Sequence, residues 1–95
     1  MDIKSKIPST FIVGDAVYTV EYVDVLDGEA QTGECDPTTY TIKVLKGITP
    51  HETLCTVIHE VLHSLSNEHG ITLKHKLIHN LERPLANFIL KNFLK

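Results

Sequence analysis

Thr49-Pro50-His51-Glu52 opens a stretch that carries His59-Glu60-Val61-Leu62-His63 at its centre and closes on His69-Gly70. The opening reads as a helix start, with Thr49 at the N-cap, Pro50 at the first helical position and Glu52 two residues further in. Gly70 is the natural stop, because glycine enters the left-handed conformation that ends helices. Between them Leu54, Val57, Ile58, Val61, Leu62 and Leu65 recur with the period of an amphipathic helix. At about 100° per residue these six cover one arc. His59 and His63 fall at its border, in line with Glu52 and Thr56. Residues four apart stand one above the other on a helix, so both imidazoles can face a single metal ion. Glu60 is turned about 100° from His59 and would flank the ion without binding it. Two neutral nitrogens on a metal and a free carboxylate beside it are what a zinc hydrolase requires.

A catalytic zinc takes a third protein ligand, and two residues compete for the place. His69 completes the spacing H-E-x-x-H-x5-H, but the position that carries a chain-turning glycine in that pattern is Ser66 here. On an unbroken helix His69 points about 100° away from the face of His59 and His63. It then serves as a cation in the last turn. Glu82 is the other candidate. Residues 74–94 also have helical period, with Ile78, Leu81, Leu85, Phe88, Ile89, Leu90 and Phe93 on one arc. Glu82 falls within that arc, as do His75 and His79. A carboxylate in an apolar stripe needs an ion pair or a metal. Pro84 either kinks this helix or marks the start of a final one near Glu82. Helix geometry, together with the resemblance given below, favours Glu82 over His69.

Residues 10–46 read as strands. Thr10-Phe11-Ile12-Val13 leads to the turn signal Gly14-Asp15, and a second strand runs from Ala16 to about Leu26. Asp27-Gly28 signals another turn. Residues 31–35 form a short strand, and Tyr40-Thr41-Ile42-Lys43-Val44-Leu45 alternates before Lys46-Gly47 ends it. The expectation is an α+β fold: a small, mainly antiparallel sheet of about three strands, then the H-E-x-x-H helix and a C-terminal helix. Ninety-five residues make a single domain, 1–95, whose core is modest enough for a metal to help hold two helices together.

Charge is uneven: residues 1–36 carry net −6 and residues 37–95 net +3. The basic half lacks alternation of basic and aromatic residues, which argues against nucleic-acid binding. No run reaches the length of a membrane span and the N-terminus has no apolar leader core, so the expected location is cytoplasmic. Cys35 and Cys55 read as reduced thiols. Cys55, one turn before His59, reads as a small buried filler rather than a ligand.

The run His59-Glu60-Val61-Leu62-His63, followed by a short loop and a helix carrying Leu81-Glu82-Arg83-Pro84-Leu85-Ala86, resembles the gluzincin branch of the zincin metallopeptidases. More closely, the chain resembles the very small zincin-like proteins of bacteriophage and prophage genomes, related in layout to the ImmA/IrrE and SprT-like peptidase domains. Gly33-Glu34-Cys35-Asp36 ahead of a strand, then the metal helix, is similar to that group. The resemblance implies a zinc peptidase with His59, His63 and Glu82 on the metal and Glu60 as general base. It also implies a peptide or protein substrate inside a bacterial host cell. Such a substrate is expected to add as a strand along the edge made by Tyr40 to Val44, with His75, His79 or Tyr40 as oxyanion donor. The alternative is a zinc-binding interaction module or phage regulatory protein without catalysis.

Overall fold

The computed structural model describes residues 2–27 and 31–94. A single helical turn, α1 (Ile3–Lys6), sets Ile3 and the following Ile7 into the core. Four strands follow: β1 (Thr10–Val13), β2 (Ala16–Val23), β3 (Gly33–Asp36) and β4 (Thr41–Leu45). Two helices complete the chain, α2 (Pro50–His69) and α3 (His75–Asn92). The fold is α+β, as the sequence suggests, with four strands in the order β1-β2-β4-β3.

Alternation along β2 decides which face is covered. Ala16, Tyr18 and Val20 are buried while Val17, Thr19 and Glu21 are exposed, the period-2 pattern of a sheet packed on one side. Gly14, at φ +60°, turns the chain between β1 and β2, so that Val13 pairs with Ala16. β2 ends at Val23, short of the expected Leu26. The turn signal at Asp27-Gly28 reaches Gly28, which lies outside the described residues.

The chain returns as β3 and only then forms β4, which inserts between β3 and β2. β4 is antiparallel to β3 and parallel to β2, with Thr19 opposite Thr41 and Val23 opposite Leu45. β4 is therefore paired on both sides, and the expected free edge along Tyr40 to Val44 does not exist. The edge strands are β1 and β3. The β3–β4 turn is held by Asp36, whose Oδ1 accepts from the backbone N–H of Thr38 at 2.9 Å, and it places Tyr40 at φ +53°. That unusual backbone seats the Tyr40 ring edge-on against Tyr18, centroids 5.4 Å apart.

α2 lies across the sheet. Tyr18, Val20, Ile42 and Val44 meet Leu54, Val57 and Ile58 in the main core. Its ends follow the local chemistry: the Thr49 hydroxyl accepts from the Glu52 backbone N–H at 3.1 Å, and Gly70 stops the helix at φ +63°. α3 packs on α2 rather than on the sheet, burying Ile78 and Ala86. It runs straight through Pro84 as one helix. Among the described residues no further layer covers the outer part of its apolar arc; Phe88 and Phe93 are exposed and rest on each other, centroids 5.8 Å apart.

Candidate metal centre

The 20 residues of α2 hold His59 and His63 one turn apart on the flank that α3 approaches. His63 Nε2 lies 3.2 Å from His59 Nε2. Zinc binds imidazole at about 2.0–2.1 Å, so the edge between two nitrogens of a zinc tetrahedron is about 3.3 Å. The two histidines thus already stand at the separation that one ion requires. His63 is held toward its neutral form, first by burial and then by the nearby His59 and His75. Neutral imidazole is the metal-binding form.

α3 brings three more groups. Glu82 places Oε2 3.0 Å from His59 Nδ1 and Oε1 3.1 Å from His79 Nδ1. His75, at the start of α3, sets its ring 5.0 Å from that of His59 and 5.5 Å from that of His63, centroid to centroid. The donors form two overlapping groups that share His59. One is His59, His63 and His75; the other is His59, His79 and Glu82. Within each, the ligand atoms lie within 4.8 Å of one another. Glu82 meets His59 at the ring edge away from His63, whereas His75 approaches both rings.

Glu60 points to the sheet side of the same helix and is only 6 % exposed. Burial, then the charges of Glu34 and Glu82, push its carboxyl up to about 7. Gly33 makes the close approach possible: a Cβ there would lie 2.5 Å from Thr56 Cγ2 and 3.3 Å from Glu60 Cγ. Thr32 and Thr56 share a hydroxyl–hydroxyl hydrogen bond of 2.8 Å across this seam.

An open cleft of about 720 Å³ runs between β3 and the helices. Thr32, Glu34, Cys35 and Pro37 line one wall; His59, Glu60, His63, His75, His79 and Glu82 line the other. The Cys35 thiol is pushed up to about 11, by burial first and then by the neighbouring carboxylates of Glu60, Asp36 and Glu68. Cys55 is buried, and its Sγ lies 3.7 Å from His51 Nδ1 rather than against the His59 cluster. Both thiols are free.

The other sequence candidates sit elsewhere. His69 closes α2 at the far end, where its ring lies over Gly14 at 3.7 Å from the position of a Cβ there. Tyr40 packs on Tyr18 and is not among the residues lining the cleft. Tyr18 instead donates to Glu68 Oε2 at 2.6 Å, and burial with that bond raises its pKa. Glu34 and Cys35 on the β3 wall belong to the stretch Gly33-Glu34-Cys35-Asp36 that enters the resemblance, but neither is a site candidate in the sequence. Only pairing of β3 with β4 brings it to the cleft.

Comparison with protein-family models, with curated proteins and with solved structures finds no match for this chain. Among the described residues no helix is long and apolar enough to cross a membrane.

Proposed function

We propose that this chain is a zinc-dependent metallopeptidase, with His59 and His63 as two of its ligands, the third drawn from α3, where Glu82 and His75 stand, and Glu60 as general base. The observation that carries the reading is the convergence of α2 and α3. α2 alone sets two histidine nitrogens 3.2 Å apart beside a buried carboxylate, and α3 brings Glu82 and His75 against them in the wall of an open cleft. The donor set suits the metal, since imidazole and carboxylate are the ligands catalytic zinc uses. When bound, zinc supplies Lewis acidity and a water of lowered pKa.

The remaining work falls to the chain. Glu60 takes a proton in the cleft and returns it to the leaving amine, a task suited to a carboxyl whose pKa lies near 7. β3, one of the two edge strands of the sheet, lines the cleft opposite the histidines. Its unpaired backbone groups can hold an extended peptide by main-chain hydrogen bonds. His79, exposed at the cleft, can donate to a developing oxyanion only in its doubly protonated form, since its Nδ1 is held by Glu82 Oε1 at 3.1 Å.

The deciding experiment pairs zinc content with cleavage of a peptide library by wild type and Glu60→Gln. The peptidase reading expects one zinc per chain in both and cleavage only by wild type. Zinc in both without cleavage by either, or a biological activity that survives Glu60→Gln, assigns the site to an interaction module instead.

A further inference from the structure

Resting on the zinc reading above, we propose that His75 is the third protein ligand, completing a three-imidazole site with His59 and His63, and that Glu82 is a positioning residue that holds His59 by its other nitrogen. The argument begins with the tautomer of His59. A neutral imidazole has one N–H and one lone pair. Glu82 Oε2 lies 3.0 Å from Nδ1, and an ionised carboxylate can only accept, so Nδ1 carries the proton. The lone pair is then on Nε2. That nitrogen faces His63 Nε2 at 3.2 Å, and His75 groups with these two histidines, its ligand atom within 4.8 Å of theirs.

Glu82 cannot replace His75 in this geometry without leaving its present bonds. Its two oxygens are engaged by His59 Nδ1 and His79 Nδ1, at 3.0 and 3.1 Å. A carboxylate that accepts from the distal N–H of a metal-bound histidine fixes ring orientation and raises ligand basicity. Glu82 is placed to do this for His59, and His79 steadies the carboxylate from outside. His75 needs only a small movement. Its ligand atom is within 4.8 Å of the other two, so closing to a tetrahedral edge of about 3.3 Å takes at most about 1.5 Å. It is exposed and stands at the first residue of α3, where the Lys74 N-cap makes no side-chain cap hydrogen bond. A rotamer change there moves only an exposed ring and its contacts with His59 and His63. The five-residue loop 70–74 returns the chain to the flank of α2, and so brings His75 to His59 and His63.

Chelator competition measures zinc affinity in wild type, His75→Ala, Glu82→Gln, Glu82→Ala, His59→Ala and His63→Ala. Folding of each is checked by circular dichroism. On zinc-loaded, 15N-histidine-labelled protein, ring-nitrogen shifts report which imidazoles are bound and by which nitrogen. The expected result is three zinc-shifted imidazoles, with His59 bound through Nε2 and still protonated at Nδ1. His75→Ala should weaken zinc by more than about 100-fold, beyond the usual effect of an outer partner. Glu82→Gln can still accept the Nδ1 proton and should lose no more than about tenfold, less than Glu82→Ala, which should lose about 10–100-fold. Wild-type affinity in His75→Ala, with zinc lost in Glu82→Gln and only two imidazoles shifted, overturns the assignment and leaves the zinc reading standing. No zinc in wild type, or affinity unchanged by His59→Ala and His63→Ala, overturns both.

Discussion

Replacing Gly33 by alanine puts a methyl group where β3 crosses closest to α2. The new carbon would lie 2.5 Å from Thr56 Cγ2 and 3.0 Å from the Lys43 carbonyl oxygen, against a normal carbon–carbon separation of about 3.5–4.0 Å. The carbonyl belongs to the partner strand and cannot give way without loosening the β3–β4 pairing. Thr56 is 5 % exposed and β-branched, and its hydroxyl is bonded to Thr32 at 2.8 Å, so turning it away breaks that bond. Overpacking of this kind costs about 1–3 kcal/mol. Alanine regains about 0.4–1 kcal/mol by restricting the unfolded chain. The net expectation is a loss of about 1–2 kcal/mol, read as a lower urea midpoint at unchanged slope. The partner substitution is Thr56→Ser, which removes Cγ2 but keeps the hydroxyl. In that background Gly33→Ala should cost at least about 1 kcal/mol less than in wild type. Additivity within about 0.5 kcal/mol, or a neutral Gly33→Ala in the wild-type background, would refute the claim that this one methyl contact forces glycine.

Three other outcomes follow from the same coordinates. Glu60 has a folded-state pKa raised from 4.5 to about 7 by burial, so its protonated form favours folding. In chelator, wild type should therefore lose up to about 3 kcal/mol as pH rises from 4.5 through 7, at 1.36 kcal/mol per unit. Glu60→Gln should lack that contribution and be the more stable protein at pH 8. Because the lowered pKa of His63 acts in the opposite sense over an overlapping range, the test is the difference between the two proteins by urea denaturation, and parallel profiles contradict the burial argument. Cys35, pushed up to about 11, holds about one thiolate in a thousand at pH 8, against about one in four for an unperturbed thiol. In metal-free Cys55→Ala protein it should react with a maleimide on the order of 100-fold slower than after unfolding, and equal rates would exclude a buried thiol among carboxylates. Tyr18→Phe removes a part-buried 2.6 Å bond to the Glu68 carboxylate at the margin of the core and should cost about 1.5–3 kcal/mol. A change below about 0.5 kcal/mol in the urea midpoint analysis would mean that water replaces the bond at no cost.

Local chemistry made much of this protein legible in its sequence. The N-cap Thr49, the stop at Gly70, the six-residue apolar arc and the turn at Gly14 depend on neighbours a few residues away, and each acts as its residue type dictates. The same short-range geometry puts His59 and His63 on one flank of α2 and turns Glu60 toward the sheet. The alternation of β2 likewise shows in the sequence which of its side chains enter the core.

Pairing across long loops is what the sequence withholds. Nothing in Tyr40 to Leu45 tells a central strand from an edge strand, because alternation records only which face is covered and not how many neighbours a strand has. The return of the chain after β2 decides that β4 lies inside and β3 at the edge. The angular position of Glu82 places it on the face toward α2, but which nitrogen of His59 it meets depends on the distance and rotation between two helices. His75 is the sharper case. By period it reads as one more residue of the α3 arc; its approach to His59 and His63 arises only because a five-residue turn brings the start of α3 back beside the middle of α2. The residues able to bind a metal were thus written in the sequence, and their grouping around one atom or another was decided by helix–helix packing, which no local pattern encodes.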